Sequence, residues 1–138
     1  MPNTNRITLV CVTDQRKCER IIRAARKIAD ISDSDLYVLN VSHPEITRQD
    51  TDSLQYLFDV SKEHNAVMHV VYSENPARVL GQFIKEHKIT TVVTGLPQGE
   101  DSILYRLIAR FHSTDFFAVD YDGTALRLPF PSAVKKEA

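Results

Sequence analysis

The stretch from Ile89 to Ser102 carries the residues best suited to bind a small anionic ligand. It starts with β-branched residues typical of a buried strand, passes Gly95 and Gly99, and ends at Ser102, a residue type that favours the start of a helix. Backbone N–H groups at a helix start attract anions, and glycine lets a ligand approach the backbone closely. We predict an anion-binding loop here. The alternative is a tight connection that simply requires glycine, because two glycines alone are a weak motif.

The first helix is a second candidate site because it is strongly basic. Its cations are opposed only by Glu19 and Asp30, and they are Arg16, Lys17, Arg20, Arg23, Arg26 and Lys27. Helical spacing places four of these on one face, namely Arg16, Arg20, Arg23 and Lys27. Such a face suits an acidic partner, a phosphate or nucleic acid. A solvated surface is the favoured interpretation, and nucleic acid is not expected because no aromatic residues interleave with the cations.

The sequence contains no recognisable catalytic or metal-binding pattern. Its histidines are scattered, without the spacing that places metal ligands on one helix face, and they are His43, His64, His69, His87 and His112. The last two and His64 fall near helix C-termini, where a structural role is favoured. There is no G-x-S-x-G elbow and no P-loop. We expect no catalytic residue and no metal site.

Composition is that of one globular domain spanning residues 1–138. Hydrophobic residues make up 43%, charged residues 25%, and the net charge is −1, so no global field draws the chain to nucleic acid or membranes. No apolar run approaches the roughly 18 residues of a membrane span, and the N-terminus lacks a signal-peptide pattern. Cys11 and Cys18 form no disulfide framework. We expect a cytoplasmic protein without membrane insertion.

Strands and helices alternate along the chain. Apolar β-branched runs predict strands at Ile7–Val12, Leu36–Val41, Val67–Tyr72, Thr90–Thr94 and Asp115–Tyr121. Apolar residues at helical spacing predict helices at 17–31, from 52 to about 64, from an Asn75–Pro76 start to 87, and after Ser102. This alternation predicts a parallel sheet with helices on both faces.

The C-terminal part departs from the alternating pattern. Asp122–Gly123 predicts a two-residue hairpin turn, after which 124–128 would return antiparallel to the fifth strand as a sixth strand. Residues 132–138 are expected to fray.

Three segments resemble the universal stress protein family, and most closely the universal-stress-type domain of potassium-sensor histidine kinases. They are the first strand–helix unit, Val10–Ala29, the helix after the third strand, and Val92-Val-Thr-Gly-Leu-Pro97. The resemblance covers residues 6–121 and leaves 122–138 as hairpin and tail. It implies a single-domain, doubly wound α/β fold with a five-stranded parallel sheet, strand order 3-2-1-4-5, like that of adenine nucleotide alpha hydrolases.

The family's nucleotide motif, G-x2-G-x9-G-[ST], matches this chain only in part. Gly95 aligns with its first glycine, Gly99 comes one residue late, and Ser102 aligns with its final position, with Asp101 replacing the glycine before it. The resemblance implies nucleotide binding between strands 1 and 4, where the second strand would hold adenine, by Thr13, Asp14, Val41, Gly95, Gly99 and Ser102. Alternatively, Asp14 caps the first helix.

Glu100 and Asp101 would repel phosphates by on the order of a few kcal/mol at low effective dielectric. We therefore expect weak ATP binding, an AMP-like ligand or cyclic dinucleotide, or no ligand. The predicted function is non-catalytic regulation in a stress response. The alternatives are a protein-interaction module with a degenerate pocket, or a weak nucleotide hydrolase with Asp14 or Asp101 as its base.

The resemblance also suggests partners. It implies a homodimer through Phe116–Tyr121, although the hairpin could cover this apolar edge within the chain. A sensor kinase or a transporter is a further expected partner.

Overall fold

The computed structural model describes residues 6–13, 16–45, 48–96 and 103–128. Three predicted site residues, Asp14, Gly99 and Ser102, lie outside the described residues. Glu100 and Asp101, predicted above to repel phosphates, also lie outside them. The tail predicted to fray, 132–138, also lies outside them.

The strands form one sheet in the order β3-β2-β1-β4-β5-β6. The first five are parallel, and β6 pairs antiparallel with β5. Their bounds are Ile7–Val12 (β1), Asp35–Ser42 (β2), Val67–Tyr72 (β3), Thr91–Gly95 (β4), Asp115–Val119 (β5) and Ala125–Leu128 (β6). The predicted order 3-2-1-4-5 and the antiparallel sixth strand are confirmed.

Four helices connect the strands of the described chain. They are α1 (Glu19–Ser32), which follows a 3₁₀ turn at Arg16–Cys18, α2 (Arg48–Glu63), α3 (Pro76–His87) and α4 (Ile103–Arg110). The prediction that the second helix starts at Asp52 was wrong by about one turn. The apolar stripe marks only the part of α2 that packs on the sheet, and Thr51 and Asp52 are exposed. None of the described helices combines the length and apolar character needed to cross a membrane.

Each face of the sheet carries its own core. On one face, α1 and α2 cover a cluster that includes Val10, Ile22 and Leu57. On the other, α3 and α4 cover a cluster that includes Leu9 and Phe116. Successive side chains of a strand point to opposite faces, so the fully buried neighbours Leu9 and Val10 serve the two cores. This explains why β1 is a continuous apolar run.

The start of α3 follows the sequence prediction. Asn75 caps the helix, because its side chain accepts a hydrogen bond of 3.2 Å from the backbone N–H of Arg78. Pro76 occupies the first helical position, where its missing N–H costs nothing. The cap fixes where α3 begins, next to the C-terminal end of the sheet.

The β5–β6 hairpin has a three-residue loop, not the predicted two-residue turn. The N–H of Asp120 donates to the carbonyl of Thr124 at 2.8 Å, and the N–H of Gly123 donates to the carbonyl of Asp120 at 3.0 Å. Gly123 has a φ of 90°, which glycine adopts without strain. The loop is therefore Tyr121–Gly123, a turn closed by a left-handed glycine.

Candidate functional site

A crevice of about 740 Å³ opens at the C-terminal ends of the central strands. Its floor comes from the ends of β1, β2 and β4, and α3 and α4 supply a wall. The chain leaves β1 and β4 towards opposite faces of the sheet, and ligands of open α/β sheets bind at such a switch point. The volume falls in the range of small-molecule sites, roughly 300–1,000 Å³.

The structure brings three predicted site residues to this crevice. Thr13 follows β1, Val41 lies near the end of β2 and Gly95 ends β4, and all three line the cavity. The other three predicted residues, Asp14, Gly99 and Ser102, lie outside the described part of the chain. The structure therefore brings these three predicted residues together at the ends of three adjacent strands.

Gly95 leaves space beside Ile21 and does not adopt an unusual backbone angle. Its φ lies outside the left-handed region, and a Cβ built on it would come 3.3 Å from Cδ1 of Ile21. That contact is tighter than ordinary van der Waals packing. A larger residue would thus press on α1 from the floor of the crevice.

The exit of β1 is held by a buried polar pair that the predicted site did not include. The Asn40 side-chain amide donates to the carbonyl of Val12 at 3.2 Å, and the Ser42 hydroxyl donates to the Asn40 side-chain oxygen. Asn40 and Ser42 are both buried. An asparagine inside an otherwise apolar strand was the signal that could have identified this pair, since buried amides need partners.

Lys17 and Arg20 also line the crevice, which the sequence did not predict. Nε of Arg20 donates to the carbonyl of Asp120 at 3.1 Å, and Nη1 donates to the carbonyl of Lys17 at 3.0 Å. The guanidinium carbon lies 5.1 Å from the ring centroid of Tyr121, a third lining residue. Arg20 therefore joins the start of α1 to the β5–β6 loop at the rim of the crevice.

Other arginines of the basic first helix and its approach have partners away from the crevice. Arg23 forms an ion pair of 2.6 Å with Glu19, and Arg26 forms one of 2.8 Å with Asp30. Arg16 lies 4.6 Å from the ring centroid of Tyr56. Arg23 and Arg26 are therefore paired with carboxylates on α1, whereas Lys17 and Arg20 lie at the crevice.

The opposite end of the crevice is apolar. Its lining there comes from β2, α3 and α4, and includes Leu39, Val41, Pro76, Ala77, Leu80 and Leu107. Cys11 also lines the cavity, but burial raises the pKa of its thiol to about 12. A thiol with such a pKa supplies almost no thiolate at neutral pH, so Cys11 is not an activated nucleophile.

The described histidines lie away from the crevice. His64 directly follows α2, His112 lies two residues after the end of α4, and His87 ends α3, so all three lie near helix C-termini as the sequence predicted. Within the residues that the structure describes, no group of three or more His, Cys, Asp or Glu side chains is arranged to hold a metal ion.

The sequence matches no protein-family model, and no curated protein sequence matches it. Solved structures do resemble the fold. A universal stress protein in complex with cAMP aligns with a TM-score of 0.62 and 21% identity, over 84% of this chain and 97% of that one. The universal stress protein from Archaeoglobus fulgidus in complex with dAMP aligns with a TM-score of 0.55 and 18% identity, over 76% and 90%.

A deacetylase from the teicoplanin biosynthesis pathway is also similar, with a TM-score of 0.58 and 10% identity, over 82% of this chain and 68% of that one. The chain therefore has the fold of the universal stress proteins. Because a deacetylase has a similar fold, the fold alone does not establish an activity, which depends on the residues of the crevice.

Proposed function

We propose that this chain is a universal-stress-type regulatory domain that binds an adenine nucleotide in the crevice without turning it over. The observation that carries the proposal is the convergence of Thr13, Val41 and Gly95 on one cavity. These residues lie at the ends of three strands that are adjacent in space but far apart in the sequence. The cAMP and dAMP complexes of structures with this fold support the choice of ligand class.

The lining supports a binding role for each end of the cavity. Leu39, Val41 and Leu80 offer an apolar surface to the flat face of a base. Thr13 is exposed and offers a hydroxyl to a ribose or phosphate, and Gly95 permits close approach to the backbone. A mostly apolar lining with a few polar groups is typical of cofactor sites.

The same lining favours regulation over hydrolysis. The described residues around the cavity include no carboxylate and no histidine, and hydrolysis needs a general base within hydrogen-bonding reach of the attacking water. The alternative of a weak hydrolase would depend on Asp14 or Asp101, outside the described residues. In the proposed role, ligand binding stabilises one conformation and changes what a partner recognises.

We further propose a cytoplasmic location, and a homodimer or a sensor kinase or transporter as the partner. Dimerisation along Phe116–Tyr121 is constrained by β6, which already pairs with the edge of β5 and places Leu128 opposite Phe116. A second copy reaches β5 only if β6 leaves, or else it pairs with the outer edge of β6.

Thermal denaturation with AMP, ADP, ATP, cAMP and a cyclic dinucleotide tests the proposed function. A ligand at ten times its Kd contributes about 1.4 kcal/mol, which raises the Tm of a domain of this size by about 4 °C. We expect at least one adenine nucleotide to raise the Tm, with no phosphate released from ATP in the presence of magnesium. No shift with any nucleotide would favour the interaction module with a degenerate pocket, and phosphate release would favour the hydrolase.

A further inference from the structure

We infer that Lys17 and Arg20 form the phosphate-binding subsite of the crevice, and that the ligand carries a single phosphate group beside its base. This inference rests on the proposed function and adds to it the residues and the charge class of the ligand. It places the phosphate beside the first helical turn and the β5–β6 loop, in addition to any contact from the glycine-containing loop.

The distribution of charge inside the cavity is the first argument. Lys17 and Arg20 are the only cationic side chains among its described lining residues, and no acidic side chain accompanies them there. Both belong to the segment that leads from β1 into α1. Because the far end is lined by Leu39, Val41 and Leu80, an amphipathic ligand has one favourable orientation, with its anion towards the cations.

The hydrogen bonding of Arg20 is the second argument. A guanidinium has five N–H donors, and the two bonds to the carbonyls of Lys17 and Asp120 use only two of them. The remaining donors have no partner among the described residues. Packing against Tyr121 and two backbone bonds fix the plane of the group before any ligand arrives. A fixed, partly unused guanidinium suits a phosphate, which accepts paired N–H bonds.

Among the residues that the structure describes, Lys17 has no carboxylate partner. Arg23 and Arg26 are paired with carboxylates on their own helix, whereas no described carboxylate pairs with Lys17. Its side chain is exposed at the rim, and its carbonyl is the group that Arg20 holds. The flexible ammonium group is therefore available to neutralise an incoming anion next to the fixed guanidinium.

The number of cations indicates the number of phosphates. A terminal phosphate carries about −1.5 to −2 charges at pH 7, which two cations balance. A triphosphate would bring further negative charge into a cavity whose described lining offers no third cation. The subsite therefore matches the single terminal phosphate of a nucleoside monophosphate better than the chain of phosphates in ATP.

Calorimetric titration of the full chain with AMP and with adenosine tests the subsite. We expect AMP to bind at least tenfold more tightly than adenosine, since hydrogen bonds to charged groups contribute about 1.5–3 kcal/mol. Lys17→Gln and Arg20→Gln should each remove most of that difference and leave adenosine binding unchanged. Added KCl should weaken AMP but not adenosine.

The matched control is Lys27→Gln, which removes the same charge from an exposed position roughly two turns beyond Arg20 on α1. It should preserve the preference for AMP. Arg20→Gln also loses its contact with the hairpin, so Lys17→Gln, which keeps the backbone bond, decides the result if the arginine variant unfolds.

The possible failures are distinguishable. If AMP and adenosine bind equally, or if Lys17→Gln keeps the full preference for AMP, the subsite is overturned while nucleotide binding stands. If ATP binds more tightly than AMP, the single-phosphate assignment is overturned. If no nucleoside or nucleotide binds, the proposed function fails, and the subsite fails with it.

Discussion

The side-chain amide of Asn40 donates a hydrogen bond of 3.2 Å to the backbone carbonyl of Val12, joining the end of β2 to the end of β1 beneath the crevice. Val12 is the last residue of β1, and Thr13 follows it at the cavity wall. Since both partners are buried, the bond is not exchanged with water. The first turn of the candidate site is therefore positioned by a residue that does not itself line the cavity.

Replacing Asn40 by leucine should destabilise the fold and weaken ligand binding together. The carbonyl of Val12 and the hydroxyl of Ser42 would each lose a buried partner, at a cost of about 1–3 kcal/mol. Urea unfolding measures the stability and calorimetry measures the affinity. Gln82→Leu makes a similar change at an exposed position of α3 and should alter neither by much. Unchanged stability in Asn40→Leu would show that the bond contributes little.

Substitutions of Gly95 should show how large a side chain this position of the crevice floor accepts. An alanine Cβ would lie 3.3 Å from the end of the Ile21 side chain, which can move slightly, so Gly95→Ala should cost less than about 1 kcal/mol. The branched Gly95→Val should abolish the rise in Tm caused by the ligand. Gly81→Ala, on α3 against Leu107 and Arg110, is the control that should keep the rise. A normal ligand response in Gly95→Val would place the ligand elsewhere.

A histidine–aromatic cluster lies between β2, β3 and α3. The ring of His69 lies 5.2 Å from those of both Tyr37 and Phe83, and 6.2 Å from that of His87, measured between centroids. Its Nε2 is buried and finds no hydrogen-bond partner among the residues described. Desolvation, and secondarily the charge of His87, lowers the pKa of His69 below its ordinary value of 6.5.

This lowered pKa predicts that acid destabilises the protein. The unfolded chain takes up the proton near pH 6.5, before the folded protein does, so the contribution of neutral His69 is complete above 6.5 and is lost as the pH falls through its folded pKa. Urea unfolding at pH 7.5 and pH 5 should show a smaller loss of stability in His69→Phe than in the parent chain. The exposed His43→Phe is the control, and an equal loss in His69→Phe would contradict the prediction.

Gly123→Ala should destabilise the hairpin through the backbone alone. The residue has a φ of +90°, and an added Cβ would meet nothing within 4 Å. The expected cost is about 1–2 kcal/mol, the penalty for a left-handed L-residue, and it should appear in urea unfolding. Gly123→Asn should cost less, because asparagine tolerates positive φ. Equal stability of the alanine variant and the parent chain would show that the loop adopts another turn.

Removing residues 123–138 should increase self-association. The truncation deletes β6 and leaves the edge of Asp115–Val119 without its partner strand, and exposed apolar edges pair with other chains. Light scattering after size-exclusion chromatography would measure the mass at several concentrations. Removing only 132–138 is the control and should not change the mass. If the truncated chain has the same oligomeric state as its parent at every concentration, β5 does not mediate assembly.

Local patterns were sufficient for most of the architecture. The bounds of β1 and β3 match the predictions, and the Asn75–Pro76 start of α3 is confirmed, because burial and capping depend on residues close together in the chain. The start of α2 was missed because a solvent-facing turn has no apolar stripe. The hairpin loop was predicted one residue too short because Asp-Gly suits more than one turn type.

The amino-acid sequence by itself determined the alternating strands and helices. The strand order that places the C-terminal ends of β1 and β4 side by side, near Thr13 and Gly95, was implied by the family resemblance and not by the alternation. Only the tertiary structure decided which side chains meet there. Arg20 and Asp120 are separated by 100 positions in the chain. Tyr121 lies in the loop between the paired strands β5 and β6, and its ring contacts the guanidinium of Arg20. Periodicity reports which residues are buried by their own element. It carries no information on contacts between distant segments, which depend on the packing of the whole sheet.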